Sequence, residues 1–201
     1  SIQDLNEQEI DSLEYELAIE IDKRTYLDYY FSLLKRNHII LFTFLPANDY
    51  NLTTIKITIF LFNFSLYFAT NGFFFTDESM HNVYVNNGEF DILFQIPQIL
   101  YSSLIPSIII VSLKYFSLSQ RHILELKKIQ DITSCINRAR EVEKCLKFKF
   151  IIFFVFCFWS MIFFWYYISC FCAVYKNTQL IMIEDTLISV GFSFIYPFAL
   201  D

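Results

Sequence analysis

Residues 148–175 read FKFIIFFVFCFWSMIFFWYYISCFCAVY, and this stretch decides the class of fold. Its only charged side chain is Lys149, which lies close to its start. At 1.5 Å per residue, a helix of about 28 residues extends roughly 42 Å, whereas the hydrocarbon core of a bilayer is about 30 Å thick. The stretch therefore predicts a transmembrane helix that tilts or projects beyond the interface at one end.

Two further runs, at about 55–75 and 92–113, are almost as apolar. Lys56 stands at the entry of the first run, where its aliphatic stem would allow the ammonium group to reach the headgroups. The second run contains Pro97 and Pro106. We expect a kink near Pro106, where neighbouring helices or Ser and Thr hydroxyls can satisfy the carbonyl group that the proline frees. Ser102, Ser103 and Ser107 lie within a turn of this break.

A fourth run, at about 186–200, is shorter and follows the two acidic residues Glu184 and Asp185. It is either a true span or a re-entrant or interfacial segment. The chain also begins at Ser1 rather than at Met, and we expect it to be a fragment of a longer protein.

The composition agrees with a membrane protein. Of the 201 residues 55% are hydrophobic, 25 are Phe and 13 are Tyr, and the mean hydropathy is +0.42. A soluble core of this size has too little interior to bury so many aromatic side chains. The sequence thus predicts an all-α integral membrane bundle of three to four transmembrane helices, with amphipathic helices on the cytoplasmic side.

Two regions are predicted to lie outside the hydrocarbon. Residues 1–54 would form an acidic amphipathic helix followed by an interfacial segment, since the apolar run 39–45 is too short to span. Residues 55–201 would form the transmembrane domain, interrupted by a cytoplasmic helical loop at 117–147. An apolar stripe in this loop could pack on the N-terminal helix or rest on anionic lipid.

The distribution of charge predicts the orientation. The connection at about 76–91 has no Lys or Arg and carries four acidic residues. Basic residues collect instead before the first span and between the second and third spans, where they are Lys114, Arg121, Lys127, Lys128, Arg138, Arg140, Lys144 and Lys147. The positive-inside rule then places the N-terminus in the cytoplasm.

No pattern typical of catalysis is found. With only three glycines there is no phosphate-binding loop, and no G-x-S-x-G elbow occurs. His38, His81 and His122 are isolated and are interpreted as surface residues, and the five cysteines as small apolar side chains. We therefore expect no catalytic, cofactor-binding or metal-binding residue, no cofactor, no enzyme activity and no nucleic-acid partner.

Polar side chains inside the spans are the better candidates for function, because they are costly in lipid unless they are paired. They could line a polar path between helices, or they could form interhelical hydrogen bonds that hold the bundle together. The predicted intramembrane polar contacts are Asn63, Asn71, Gln95, Gln98, Ser102 and Ser103.

Beyond residue 20, most of the chain resembles the C-terminal multi-spanning region of large, uncharacterised transmembrane proteins of ciliates. The residues that carry this resemblance are DKRTYLDYY (22–30), LLKRNHIILFTF (33–44), NDY (48–50), SLYFATNGFFFTDE (65–78), QIPQILYS (95–102) and SCFCAVYK (169–176). The resemblance implies a membrane anchor behind a long extracellular region, and it implies no catalytic or ligand-binding residue.

Two functions follow as expectations. The first is a multi-pass membrane anchor or assembly domain of a larger protein, which would contact the lipid bilayer, other membrane helices, and cytoplasmic proteins through residues 1–37 and 117–147. The alternative is a subunit of an ion channel or transporter with a polar path between its helices.

Overall fold

The computed structural model describes residues 10, 15–46, 49–85, 92–127, 129, 131–175 and 178–194. In these ranges the chain is helical and contains no strand, so the predicted all-α class is confirmed. The helices are α1 (Tyr15–Ile21), α2 (Tyr26–Asn37), α3 (Ile39–Phe44), α4 (Thr53–Phe74), α5 (Asp77–Val85), α6 (Ile92–Ser117), α7 (Gln120–Lys127), α8 (Ile132–Val174) and α9 (Gln179–Phe192).

Three of these helices, α4, α6 and α8, are long and apolar enough to cross a membrane. They cover the first three predicted spans, apart from the last residue of the first span, Phe75, and of the third, Tyr175. Helix α4 is the central element, because 56% of its most apolar stretch is buried, compared with 33% for α6 and 17% for α8.

Helix α8 is longer than the span that the sequence predicted within it. It runs for 43 residues, and Asp131 directly before it caps the helix: the Asp131 carboxylate accepts a hydrogen bond from the backbone N–H of Ser134 at 2.8 Å. Its length of roughly 64 Å is about twice the thickness of a bilayer core. The predicted start at residue 148 is therefore not a helix boundary, and the loop 117–147 includes α7 and the first part of α8.

The fourth predicted span needs a correction. The sequence placed it at 186–200, with Glu184 and Asp185 at its entry, but the helix begins at Gln179 and ends at Phe192. Both acidic residues therefore lie within α9. With 14 residues the helix extends about 21 Å, which is short for a complete span. Residues 195–201 lie outside the described ranges.

Helix α6 continues through both of its prolines. Pro106 has no N–H group, so the carbonyl oxygen of Ser102 loses its usual partner in the helix. The hydroxyl of Thr70 on α4 lies 3.3 Å from this oxygen, although it lies closer, at 2.8 Å, to Leu66 O of its own helix. A hydroxyl from a neighbouring helix is thus within hydrogen-bond distance of the carbonyl that the proline frees.

Two apolar clusters hold the helices together. The larger cluster joins α3, α4, α6 and α8 through Ile39, Phe42, Ile55, Ile59, Phe62, Leu66, Ile110, Phe153 and Cys157. The smaller joins α8 and α9 through Ile168, Phe171 and Met182. Close to the second cluster α4 carries Gly72, where an added Cβ would lie 3.1 Å from Tyr167 Cε1 and 3.3 Å from Met182 Cε. The absence of a side chain at this position therefore allows the helices to approach closely.

The segment before α4 packs into the bundle rather than lying flat beside it. A capping box between Thr25 and Asp28 starts α2, and the extended backbone of His38 separates α2 from α3. The side chains of Ile39 and Phe42 are buried against α4. The predicted interfacial run 39–45 is thus mostly helix α3, and part of it belongs to the core.

The basic end of the bundle brings together segments that are distant in sequence. The Nζ atom of Lys114 on α6 donates to the backbone oxygens of Arg36 and Asn37 at the end of α2, at 3.2 and 3.0 Å. The Asn51 side chain accepts from the backbone N–H groups of Ser119 and Gln120, both at 3.2 Å, where α7 begins. The two regions that the sequence predicted to be cytoplasmic therefore lie at the same end.

Candidate functional site

Three pairs of polar side chains meet between α4, α6 and α9. The Asn71 amide donates to the hydroxyl of Thr186 at 3.0 Å, and the Gln98 amide donates to Asp185 Oδ2 at 3.2 Å. The hydroxyls of Ser102 and Ser189 lie 3.1 Å apart. We call these six residues the polar seam.

Five of the six residues of the seam are closed to solvent, and Gln98 is half-buried. Asn71, Ser102, Asp185 and Ser189 are 0% exposed, and Thr186 is 1% exposed. Because unpaired polar groups are costly in such surroundings, each interhelical hydrogen bond favours the associated state, typically by about 0.6–2 kcal/mol. The seam therefore joins α9 to both α4 and α6.

Three of the six predicted residues belong to the seam: Asn71, Gln98 and Ser102. The hydroxyl of Ser103 donates to Leu100 O within α6 at 2.9 Å. Asn63 is buried, but no hydrogen bond between described residues joins it to the seam. The side chain of Gln95 lies outside the described part of the structure.

The sequence analysis did not identify the α9 half of the seam. Asp185, Thr186 and Ser189 were placed at or beyond the entry of a span, whereas they lie in the middle of a helix. The available signal was the spacing of polar residues, because Asp185, Ser189 and Ser193 recur at every fourth position and thus share one helix face.

Asp185 is the most unusual member of the seam. Its Oδ2 accepts one hydrogen bond, but its Oδ1 is buried without a hydrogen-bond partner among the described residues. The only basic residues in α4 and α6 are engaged elsewhere: Lys56 pairs with Asp49, and Lys114 binds the backbone at the end of α2. Burying an ionised carboxylate without a cation is costly, so these surroundings favour the neutral acid.

Asn71 presents a second buried acceptor. Its Oδ1 also has no hydrogen-bond partner among the described residues. Asn71 bonds to Thr186, which follows Asp185 directly in α9. The two buried atoms of the seam that lack a partner are therefore both oxygens, and they belong to the neighbouring pairs Asn71–Thr186 and Gln98–Asp185. Each oxygen can accept a hydrogen bond.

His38 is buried, although the sequence interpreted it as a surface residue. Its exposed fraction is 2%, its ring stacks on Phe194 at 3.5 Å, and its Nε2 lies 3.1 Å from the hydroxyl of Ser193. Burial, together with the positive charge of Lys114, lowers the pKa of the imidazole to about 4. The ring is therefore neutral near pH 7.

A buried ion pair lies at the basic end of α4. Lys56 Nζ is 2.5 Å from Asp49 Oδ2, and each side chain is 8% exposed. The ammonium group also lies 4.9 Å from the centre of the Phe42 ring, within the range of a cation–π contact. The lysine therefore points into the protein, in contrast to its predicted extension to the headgroups.

The described residues contain no group of three His, Cys, Asp or Glu side chains placed to bind a metal ion. The cysteines are unpaired thiols, of which Cys157 is buried in the larger apolar cluster. Among the described residues, the seam is the strongest candidate site, because it combines burial, polarity and a titratable group.

Comparisons with protein-family models, with curated proteins and with solved structures found no match to this chain.

Proposed function

We propose that the chain is a multi-pass membrane domain that anchors a larger protein and assembles it with partners. In this proposal α4, α6 and α8 cross the bilayer, while α2, α7 and the first part of α8 lie on the cytoplasmic side. The proposal rests on the surface of α8, which is more apolar and less covered than that of any other long helix described.

The surface of α8 requires an apolar neighbour. Only 17% of its most apolar stretch is buried, although this stretch has a mean hydropathy of 2.1. A continuous apolar surface of this size is not stable in water, so lipid or another membrane helix must cover it. The exposed side chains include Phe148, Ile151, Ile152, Val155, Phe156, Phe158, Trp159, Ile162, Phe163, Trp165 and Tyr166.

The first part of α8 has the opposite character. Its exposed side chains form two ion pairs, one between Arg138 and Glu141 at 2.9 Å and one between Lys147 and Glu143 at 2.6 Å. Because the charged and apolar parts belong to one uninterrupted helix, a protein that binds residues 132–147 would be held in a defined orientation to the membrane. This continuity supports a role in anchoring and assembly, with partners at residues 1–37 and 117–147.

Labelling of single cysteines tests the orientation. In a variant from which the five native cysteines have been removed, Glu78→Cys and Arg138→Cys each place one thiol on an exposed position of α5 or α8. An impermeant maleimide should label the two positions from opposite sides of sealed vesicles. Labelling of both from the same side would contradict the proposed crossing of α4, α6 and α8.

A subunit of an ion channel or transporter is the second candidate function. It is favoured by the buried Asp185 side chain, since acidic groups within membrane domains commonly mark ion pathways. Sodium or potassium flux through liposomes containing the purified domain separates the two candidates. A flux that disappears in the Asn71→Leu variant would support the channel, whereas a monomer or dimer without such flux would support the anchor.

A further inference from the structure

An apolar groove lies between α4 and α8 on the surface of the bundle. Its volume is about 420 Å³, and Thr58 of α4 forms one side. The other side belongs to α8 and includes the exposed rings of Phe154, Phe158 and Trp159, together with the fully buried Cys157. Binding pockets for small molecules commonly have volumes of about 300–1,000 Å³ and mostly apolar walls. The groove is therefore large enough to hold part of an apolar ligand.

The groove offers no free polar group to a ligand. The hydroxyl of Thr58 donates to Thr54 O of its own helix at 2.9 Å, and the lining side chains of α8 are all apolar. Thr58 follows the start of α4 at Thr53 by five residues, or about 8 Å along the helix. A ligand must therefore be apolar where it enters the groove, close to the basic end of the bundle.

The same face of α8 carries basic side chains between the groove and the start of the helix. Arg140, Lys144 and Lys147 lie at intervals that place them within about 40° of Phe154 and Phe158 around the helix, at about 100° per residue. All three are exposed. We call Arg140, Lys144 and Lys147 the basic stripe, and the groove continues it in the apolar part of the same helix face.

The basic stripe keeps most of its positive charge. Lys147 pairs with Glu143 at 2.6 Å, whereas no ion pair between described residues engages Arg140 or Lys144. Residues 138–149 contain five basic and two acidic side chains, a net charge of +3. The stripe therefore attracts an anionic group.

Two other lysines near this end of the groove are engaged within the protein. Lys56 of α4 is buried in its ion pair with Asp49, and Lys149 of α8 donates to Leu118 O at 3.2 Å. Neither ammonium group is therefore available to a ligand in the groove. An anion above the groove would meet the basic stripe instead.

We propose that the groove and the basic stripe together bind one anionic phospholipid of the cytoplasmic leaflet. This inference rests on the proposed function, because the groove faces lipid only if α4 and α8 cross the bilayer. The phosphate lies beside Lys144 and Lys147, and an acyl chain fills the groove. Along α8, Lys147 precedes Phe158 by about 16 Å, which matches the roughly 15 Å of hydrocarbon in one leaflet.

The combination of groove and charge distinguishes this site from an ordinary helix flank. Basic residues occur at the cytoplasmic ends of many membrane helices, where they attract anionic lipid without fixing its position. Here the groove on the same face fixes the position of the acyl chain. A second copy of the chain packed symmetrically on this face would bring two basic stripes together, and their repulsion disfavours that arrangement.

The two tryptophans of the chain allow a direct test. Trp159 lines the groove, whereas Trp165 does not and lies about 9 Å further along α8. Trp165→Phe leaves Trp159 as the only tryptophan, and Trp159→Phe leaves Trp165. The purified variants are placed in phosphatidylcholine vesicles that contain the same mole fraction of either phosphatidylserine or phosphatidylcholine with brominated acyl chains, which quench tryptophan fluorescence on contact.

We expect Trp159 to associate with brominated phosphatidylserine roughly fivefold more strongly than with brominated phosphatidylcholine, which is the effect of about one basic residue near an anionic lipid surface. Trp165 should be quenched equally by both lipids. Equal quenching of Trp159 by both lipids would overturn the proposal. Quenching of Trp159 that disappears as the protein-to-lipid ratio rises would assign the groove to a second copy of the chain and would also overturn it.

A charge-matched pair of variants tests the basic stripe. Arg140→Gln with Lys144→Gln should abolish the preference of Trp159 for phosphatidylserine. Arg121→Gln with Arg138→Gln removes the same charge from exposed positions on α7 and on the opposite face of α8, and it should leave the preference unchanged. An equal effect of the two double variants would overturn the proposal, because it would mean that only the net charge matters.

A second pair of variants tests the groove. Thr58→Phe should fill the groove and lower both the quenching of Trp159 and its lipid preference. Ile57→Phe enlarges the neighbouring exposed residue of α4, which does not line the groove, and should change neither. Full quenching and full preference in a folded Thr58→Phe variant would overturn the proposal.

A further measurement applies if Thr58→Phe does not fold. Phosphatidylserine added to phosphatidylcholine micelles should raise the unfolding temperature of the original chain but not that of the Arg140→Gln and Lys144→Gln double variant, and an equal rise in both would refute the site. Failure of either brominated lipid to quench either tryptophan would contradict the membrane crossing and hence the proposed function. Equal quenching of both tryptophans by both lipids would contradict only the lipid site.

Discussion

The hydrogen bond between Asn71 and Thr186 provides a direct test of how α9 is held in the bundle. The variant Asn71→Leu replaces the amide with an apolar side chain of similar size, and Thr186→Val removes the hydroxyl while keeping the shape. Both residues are buried, and their polar atoms are 3.0 Å apart. Interhelical hydrogen bonds in a membrane protein contribute on average about 0.6 and at most about 1.7 kcal/mol in double-mutant cycles.

We therefore expect a coupling free energy of about 0.6–1.7 kcal/mol between the two substitutions, or roughly a 3- to 18-fold effect on the unfolding equilibrium. The single substitutions do not measure the bond alone, because an apolar side chain can offset the lost bond through better packing. The coupling free energy removes this contribution if the two sites repack independently.

The assay is reversible unfolding of the purified chain in mixed micelles, with helical circular dichroism as the signal. Asn63→Leu is the matched control, because Asn63 is a buried asparagine on the same helix that has no hydrogen bond to Thr186. Its coupling to Thr186→Val should be zero. Equal coupling for Asn63 and Asn71, or zero coupling for both, would refute the role assigned to the seam.

Three further predictions concern other parts of the bundle. Lys56→Met should destabilise the domain by about 3–5 kcal/mol by leaving Asp49 as an unpaired buried charge, and adding Asp49→Leu should recover much of that loss in the same unfolding assay. Because burial lowers the pKa of His38 from 6.5 to about 4, the unfolded chain binds this proton more readily. Thermal stability should therefore fall as the pH is lowered from about 6.5 to about 4, and His38→Gln should flatten that part of the pH profile. Gly72→Ile should lower stability by about 1–3 kcal/mol through overpacking, while Gly191→Ile, at a position with no atom within 4 Å of the added Cβ, should have little effect.

The sequence alone was sufficient to predict the all-α class and the three long apolar helices. In a bilayer each backbone polar group must be satisfied within its own segment, so a long apolar run specifies a helix without reference to the rest of the fold. The contact of Thr70 with the carbonyl freed by Pro106 was not predicted, because the sequence pointed to serines of the same helix whereas Thr70 lies on α4.

The polar contacts required the tertiary structure. Asn63 and Asn71 are eight residues apart and lie on roughly the same face of α4, yet only Asn71 meets a partner on α9. The register and depth of α9 decide this difference, and both result from packing against α4, α6 and α8 rather than from the composition of α9 itself. Asp185 was misplaced for the same reason, since an acidic residue beside an apolar run ordinarily indicates a helix end, whereas here a hydrogen bond from Gln98 accompanies its burial in the middle of a helix.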